Sequence, residues 1–263
     1  RDMAQAEAAR DDSIDFVVIV TPNHLHYDIA RVFLEAEFHV VCDKPLTTTL
    51  DDAEDLCRMV AEGKSVFVVT HNYTGYPMIK EARHLIREGR LGRIRRIQVE
   101  YMQGWLSAPL ERTGQRQAAW RTDPAQAGVA GALGDIGTHA HNLARYVTGL
   151  EVEELCADLT TFVDGRRLDD DASLLLRWSG GARGTLTASQ IAYGEENGLT
   201  LRVYGTDGSI AWGQEEPETL ILKKNETTTI SRRGTTDLGE MAQSYSRLPP
   251  GHPARHPSSP GLG

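Results

Sequence analysis

The sequence predicts an α/β chain in two parts: a short parallel sheet, then an α+β part with a large open, mostly antiparallel sheet. Three observations carry this. Between residues 14 and 70 apolar runs alternate with helical periods, in the order strand, helix, strand, helix, strand, with short connections. That is the pattern of βαβ units and a right-handed parallel sheet. After residue 150 alternating runs follow one another, with Gly-Gly, Asn-Gly and Asp-Gly pairs between several of them, as in antiparallel hairpins. The change of pattern near residues 72–76 marks a domain boundary. The expected division is 1–73, 74–247, and a disordered tail over 248–263 rich in Pro, Ser and Gly.

The elements follow in order. Arg1 to Asp12 is a charged, Ala-rich helical piece. Ile14 to Val20 is apolar almost throughout, which predicts a strand buried on both faces. Thr21-Pro22-Asn23 stops it. His24 to Glu37 carries Ile29, Val32, Phe33 and Leu34 at helical spacing. Phe38 to Cys42 is the second strand. Leu50-Asp51-Asp52 opens a helix with acids in its first turn, where the helix dipole favours them. Ser65 to Thr70 is the third strand. Met78 to Glu88 is a helix, and Ile94 to Met102 a longer strand with one polar face. Gly104 to Gly128 is irregular and polar, and Gly134 to Val147 is a helix with glycines at its entrance. Strands at 152–163, 172–178, 184–191, 199–204, 209–212 and 219–223 form an antiparallel meander.

Charge excludes some function classes. Lys and Arg number 28 and Asp and Glu 37, so the net charge is −9. Nucleic acids and anionic membranes require a basic footprint, so neither is an expected partner. No apolar run approaches the ~20 residues that span a bilayer, and no secretory signal is visible. Cys42, Cys57 and Cys156 lie far apart. They suit neither a metal site nor a disulfide framework, and a reducing cytoplasm is expected.

Several stretches could carry chemistry. Thr21-Pro22-Asn23-His24-Leu25-His26 and Asp43-Lys44-Pro45 each follow a parallel strand, where open α/β sheets bind ligands. The first also reads as a helix entry capped by Thr21 or Asn23. Lys44 also reads as an ordinary solvated lysine. Asp135 and His139 are four apart, so on a helix they share a face. A carboxylate beside an imidazole suits acid–base work. Capping by Asp135, with His139 half-buried, is the alternative. Trp120-Arg121 offers a flat apolar face and a fixed cation, or a loop anchor. Asn72-Tyr73 and Tyr76 sit at the domain junction, where pockets form or hinges pack.

Together these stretches resemble the Gfo/Idh/MocA family of NAD(P)-dependent oxidoreductases, the relatives of glucose–fructose oxidoreductase and inositol dehydrogenase. The resemblance rests on Val17-Val18-Ile19-Val20-Thr21-Pro22-Asn23 with His26, Cys42-Asp43-Lys44-Pro45, Asn72-Tyr73, and Gly134-Asp135-Ile136-Gly137-Thr138-His139, in that order. It implies a partial Rossmann domain followed by the open-sheet domain. It implies hydride transfer between a sugar, cyclitol or related polyol and NAD or NADP. Lys44, Asp135 and His139 are then catalytic, with His139 the acid–base. Thr21, Pro22, Asn23, His26, Asp43, Lys44, Pro45 and Asn72 line the cofactor. Lys44, Tyr73, Trp120, Arg121, Asp135 and His139 meet the substrate. No metal is expected.

Three departures from the family pattern stand out. Asp43 replaces the usual Glu, and Asn142 replaces an Asp common after the histidine. The first βαβ unit, with its Gly-x-Gly-x-x-Gly turn, does not precede Ile14, so the chain is expected to be a fragment truncated at both ends. A non-catalytic ligand- or partner-binding member of the same fold, or an inactive fragment, is the alternative. A homodimer or homotetramer is expected, covering the open sheet face.

Overall fold

The computed structural model describes residues 2–246; the tail expected over 248–263 lies outside the described residues. The first unit is a three-stranded parallel sheet in the order β1-β2-β3: β1 Phe16–Ile19, β2 His39–Cys42 and β3 Phe67–Val69. The helices α1 (Asp2–Ala8), α2 (His26–Glu35) and α3 (Leu50–Glu62) contribute Ala4, Ala30, Phe33, Leu34 and Leu56 to one core with Ile19, Val40 and Cys42. The buried positions of α2 (His26, Ala30, Phe33, Leu34) repeat at helical spacing and form one stripe. Thr49 caps α3, its hydroxyl accepting from Asp52 N–H at 3.2 Å.

The expectation that the first strand is buried on both faces is corrected here. Phe16 and Val18 are each 52% exposed, and Val20, Val66 and Val68 are exposed with them. All three helices lie on the other face, and among the described residues nothing covers this one.

The second unit is an eight-stranded sheet in the order β11-β10-β9-β8-β4-β7-β6-β5. Its strands are β4 Ile94–Met102, β5 Val152–Thr160, β6 Asp171–Trp178, β7 Arg183–Ser189, β8 Gly198–Gly205, β9 Ser209–Gly213, β10 Thr219–Lys224 and β11 Thr227–Arg232. The expected simple meander is corrected: β4 is inserted at the centre, antiparallel to β8 and parallel to β7. β11 and a last helix, α8 (Glu240–Tyr245), were also not anticipated. Helices α4 (Pro77–Arg87) and α7 (Thr138–Thr148) cover one face. Strand β6 shows the two-sided pattern, with Ala172, Leu174, Leu176 and Trp178 buried and Ser173, Leu175 and Arg177 exposed.

α8 is pinned to α4. Lys80 Nζ lies 4.7 Å from the Tyr146 ring centre and 4.6 Å from that of Tyr245, a cation–π arrangement. Gly239 N–H donates to buried Glu81 at 2.7 Å. The segment expected to be irregular, 104–128, holds two short helices, α5 (Arg116–Arg121) and α6 (Pro124–Ala127). It is tied to the sheet by buried Arg166, which donates to Glu111 at 3.1 Å and Asp170 at 3.4 Å. Among the described residues no helix is long and apolar enough to cross a membrane.

This burial pattern predicts a contrast. Leu201, 1% exposed at the sheet centre, loses packing and leaves a cavity on truncation, whereas Leu50 is 71% exposed. Leu201→Ala is expected to cost about 2–5 kcal/mol and Leu50→Ala less than about 0.5 kcal/mol, read from urea unfolding midpoints.

Candidate active site

Parallel pairing brings three strand ends to one edge. Ile19, Cys42 and Val69 stand in register, so Thr21, Lys44 and His71 emerge together. Asp43 braces this edge: its N–H donates to Ile19 O at 2.9 Å, and its carboxylate accepts from Lys44 N–H at 2.9 Å and the Thr70 hydroxyl at 2.7 Å. His26 is fully buried, and its ring bridges Pro45 O at 2.8 Å and Thr21 O at 2.9 Å. Asn23 is buried and donates to Ala127 O at 3.0 Å. The side chains of Asn23, His26 and Asp43, expected to line a dinucleotide, are therefore engaged with the protein itself. Neither Thr21 nor Asn23 caps a helix through its side chain. The Thr21 hydroxyl is buried without a partner among the described residues. The Lys44–Pro45 peptide is cis.

Lys44 crosses to the second unit. Its Nζ donates to Asp135 Oδ1 and to Asp135 O, both at 2.6 Å, and its side chain is only 14% exposed. The other carboxylate oxygen of Asp135 accepts from Arg121 Nε at 3.2 Å and Gln190 Nε2 at 2.9 Å. Burial pushes the Asp135 carboxyl up, but Lys44 and Arg121 outweigh it and hold the group below the usual carboxylate range. The guanidinium of Arg121 also lies 4.1 Å from the Trp120 ring centre. Arg121 thus braces Asp135, and Trp120, half-exposed, supports Arg121.

His139 stands one helical turn further on. The segment Leu133–Gly137 is a π-turn that runs into α7. Asp135 therefore lies within the helix and does not cap it. The turn is held from outside by Asp169, whose carboxylate accepts from Gly131 N–H and Leu133 N–H, each at 2.7 Å. Gly131 approaches so closely that a Cβ there would stand 2.0 Å from Asp169 O. The His139 ring is 6% exposed, with the Tyr73 ring centre 4.5 Å away and the His71 ring edge-on at 5.9 Å. Burial, then Lys44 and His71, push His139 down to about 3, so the ring is neutral. Burial and Lys44 also lower His71. Nδ1 of each ring is buried without a partner among the described residues. His141 points elsewhere and stacks on Trp178 at 6.2 Å.

The structure thus brings Lys44, Asp135, His139, Tyr73 and Arg121 together where the two units meet, the candidate cleft. Asn72 opens the turn that carries Tyr73. Two residues of the cleft, His71 and Gln190, escaped the sequence reading. His71 follows a parallel strand, the same placement that marked Lys44. Gln190 carries no local signal. Among the described residues no cluster of three or more His, Cys, Asp or Glu could hold a metal ion.

Comparison with known proteins identifies the family. The profile of the GFO/IDH/MocA C-terminal domain matches residues 79–211. That of the oxidoreductase family with NAD-binding Rossmann fold matches residues 3–71. The chain belongs to this family. It is 32% identical to the uncharacterized oxidoreductase YfiI of Bacillus subtilis, over 94% of this chain and 63% of that protein. It is 33% identical to levoglucosan dehydrogenase of Pseudarthrobacter phenanthrenivorans, over 80% of this chain and 58% of that protein. A crystal structure of an inositol dehydrogenase homolog from Azotobacter vinelandii, complexed with NAD+, superposes with a TM-score of 0.92 at 36% identity, covering 96% of this chain and 66% of that one. The chain spans less than two thirds of the length of these curated relatives.

The lowered His139 pKa makes a stability prediction. An unfolded imidazole takes up a proton below about 6.5, whereas the buried one refuses it until about 3. The unfolded state therefore binds more protons across that window, and stability falls as pH falls. The expected contribution of His139 is about 1.4 kcal/mol per pH unit between those limits. His139→Gln is expected to flatten that part of the profile in urea unfolding at stepped pH; an unchanged slope contradicts the assignment.

Proposed function

We propose that this cleft transfers a hydride between a sugar, cyclitol or related polyol and NAD(P). The observation that carries the reading is the meeting of Lys44 with Asp135 beside a neutral His139. In this reading residues 1–73 face the cofactor and residues 74–247 supply the substrate side and the oligomer contacts. The names of two relatives, a levoglucosan dehydrogenase and an inositol dehydrogenase homolog, support the substrate class.

The orphaned Thr21 hydroxyl and His71 Nδ1 suit a dinucleotide, since each is a buried polar atom at the strand ends. Thr21, Pro22, Pro45 and Asn72 line its seat, and Asn23, His26 and Asp43 hold the crevice in shape. When bound, NAD(P) supplies the hydride acceptor. His139 keeps its lone pair and takes the proton of the reacting hydroxyl. Lys44 uses two N–H donors on Asp135; an ammonium has three, and the third steadies the oxygen as negative charge develops. Asp135 fixes the lysine, and Arg121 and Gln190 fix Asp135.

The open face of the large sheet pairs with a second copy, as a dimer or tetramer. The three cysteines are free, in keeping with a reducing cytoplasm.

Lys44→Ala and His139→Ala are each expected to lower kcat for NAD(P)-dependent polyol oxidation by about 10²–10⁴-fold, with circular dichroism unchanged. Wild-type rates in both variants, measured by absorbance of the reduced nicotinamide, would sink the site assignment.

A further inference from the structure

A chain of hydrogen bonds runs from a loop tryptophan to the cleft, and its direction can be deduced. Trp105 Nε1 lies 3.0 Å from Gln103 Oε1. An indole N–H can only donate, so the oxygen of Gln103 must face it. The amide nitrogen of Gln103 then faces Asn197 Oδ1 at 3.0 Å, which must accept. The same oxygen lies 2.5 Å from the Tyr101 hydroxyl. Tyr101 has a single proton, and it is committed to Asn197.

Tyr101 has only lone pairs left. The remaining neighbour is Tyr73, hydroxyl to hydroxyl at 2.8 Å. Since Tyr101 cannot donate there, Tyr73 does. Its own proton is spent, and Tyr73 keeps only acceptor capacity. Tyr101 is 1% exposed and Tyr73 only partly buried, so the chain opens to the cleft at Tyr73, beside His139.

We propose that Tyr73 is an obligate hydrogen-bond acceptor in the cleft, and that it selects substrates with a free hydroxyl next to the carbon being oxidised. Asn197, Gln103 and Trp105 are positioning residues that act through it. An ether oxygen, a carbonyl or a fluorine at that substrate position has no proton to give, and Tyr73 meets it lone pair to lone pair. The inference rests on the polyol dehydrogenase reading of the site and names which polyols it takes.

The test compares myo-inositol with mono-deoxyfluoro-inositols, because fluorine keeps the size of the hydroxyl but donates nothing. In the wild-type protein with NAD+, fluorine beside the reacting carbon is expected to lower kcat/KM by about 10–100-fold. Tyr73→Phe is expected to lower kcat/KM for myo-inositol and to abolish that preference. Asn197→Leu releases the Tyr101 proton and is expected to weaken the preference, while Asn197→Asp, which keeps an acceptor, preserves it. Discrimination that survives in both Tyr73→Phe and Asn197→Leu overturns the inference and leaves the dehydrogenase reading intact. Full-length protein that oxidises no polyol overturns that reading instead. Neutron diffraction from deuterated crystals then still decides the direction of the chain: a deuteron on Tyr101 pointing at Tyr73 overturns it.

Discussion

Lys44 and Asp135 meet across 91 residues of sequence, at 2.6 Å, with side chains 14% and 16% exposed. Burying two charges costs several kcal/mol for each, and the attraction between them offsets this only when the remaining hydrogen-bonding capacity is also filled. Here all but one ammonium donor is engaged: Lys44 donates to the Asp135 backbone as well, and the carboxylate accepts from Arg121 and Gln190. The contact joins the three-stranded and eight-stranded sheets, together with the Asn23 bond to Ala127 O and the packing of His71 and Tyr73 on His139. Each partner is also rigid where it starts. Asp43 ties down the strand end that carries Lys44, and Asp169 ties down the π-turn that carries Asp135.

The eight-stranded sheet explains why the polar groups converge. β4 lies between β8 and β7, with Met102 opposite Gly198 on one side and Ser189 on the other. Gln103, Gln190 and Asn197 each lie one step beyond those three residues. One end of the sheet centre thus gathers three amides from three segments. A single change of register would separate them, because adjacent residues of a strand point to opposite faces.

This sheet order also marks what the sequence could disclose. All strands of both sheets but β11 were legible from local pattern, and so were the strand-end motifs at Thr21 and Lys44. Local spacing also put Asp135 near His139. The insertion of β4 was not legible, because strand order depends on contacts far apart in sequence. The bare face of β1 was misread because Phe16 and Val18 are as apolar as residues covered on both sides. Arg121 was legible as a fixed cation, but its partner depends on how α5 folds over Asp135. Trp105, Gln103 and Asn197 showed no motif, since their relation is set by register alone.

The two imidazoles, His71 and His139, sit in one electrostatic setting. A base that removes a hydroxyl proton needs a free lone pair, and an imidazolium has none. Burial and the Lys44 charge keep both His139 and His71 unprotonated. In the proposed reaction, the ammonium that favours an alkoxide on the substrate also disfavours a proton on the base. There, a negative oxygen beside Lys44 would offset that repulsion and let His139 hold the charge it otherwise refuses. Proton transfer and alkoxide stabilisation would then be coupled through Lys44, whose position Asp135 fixes.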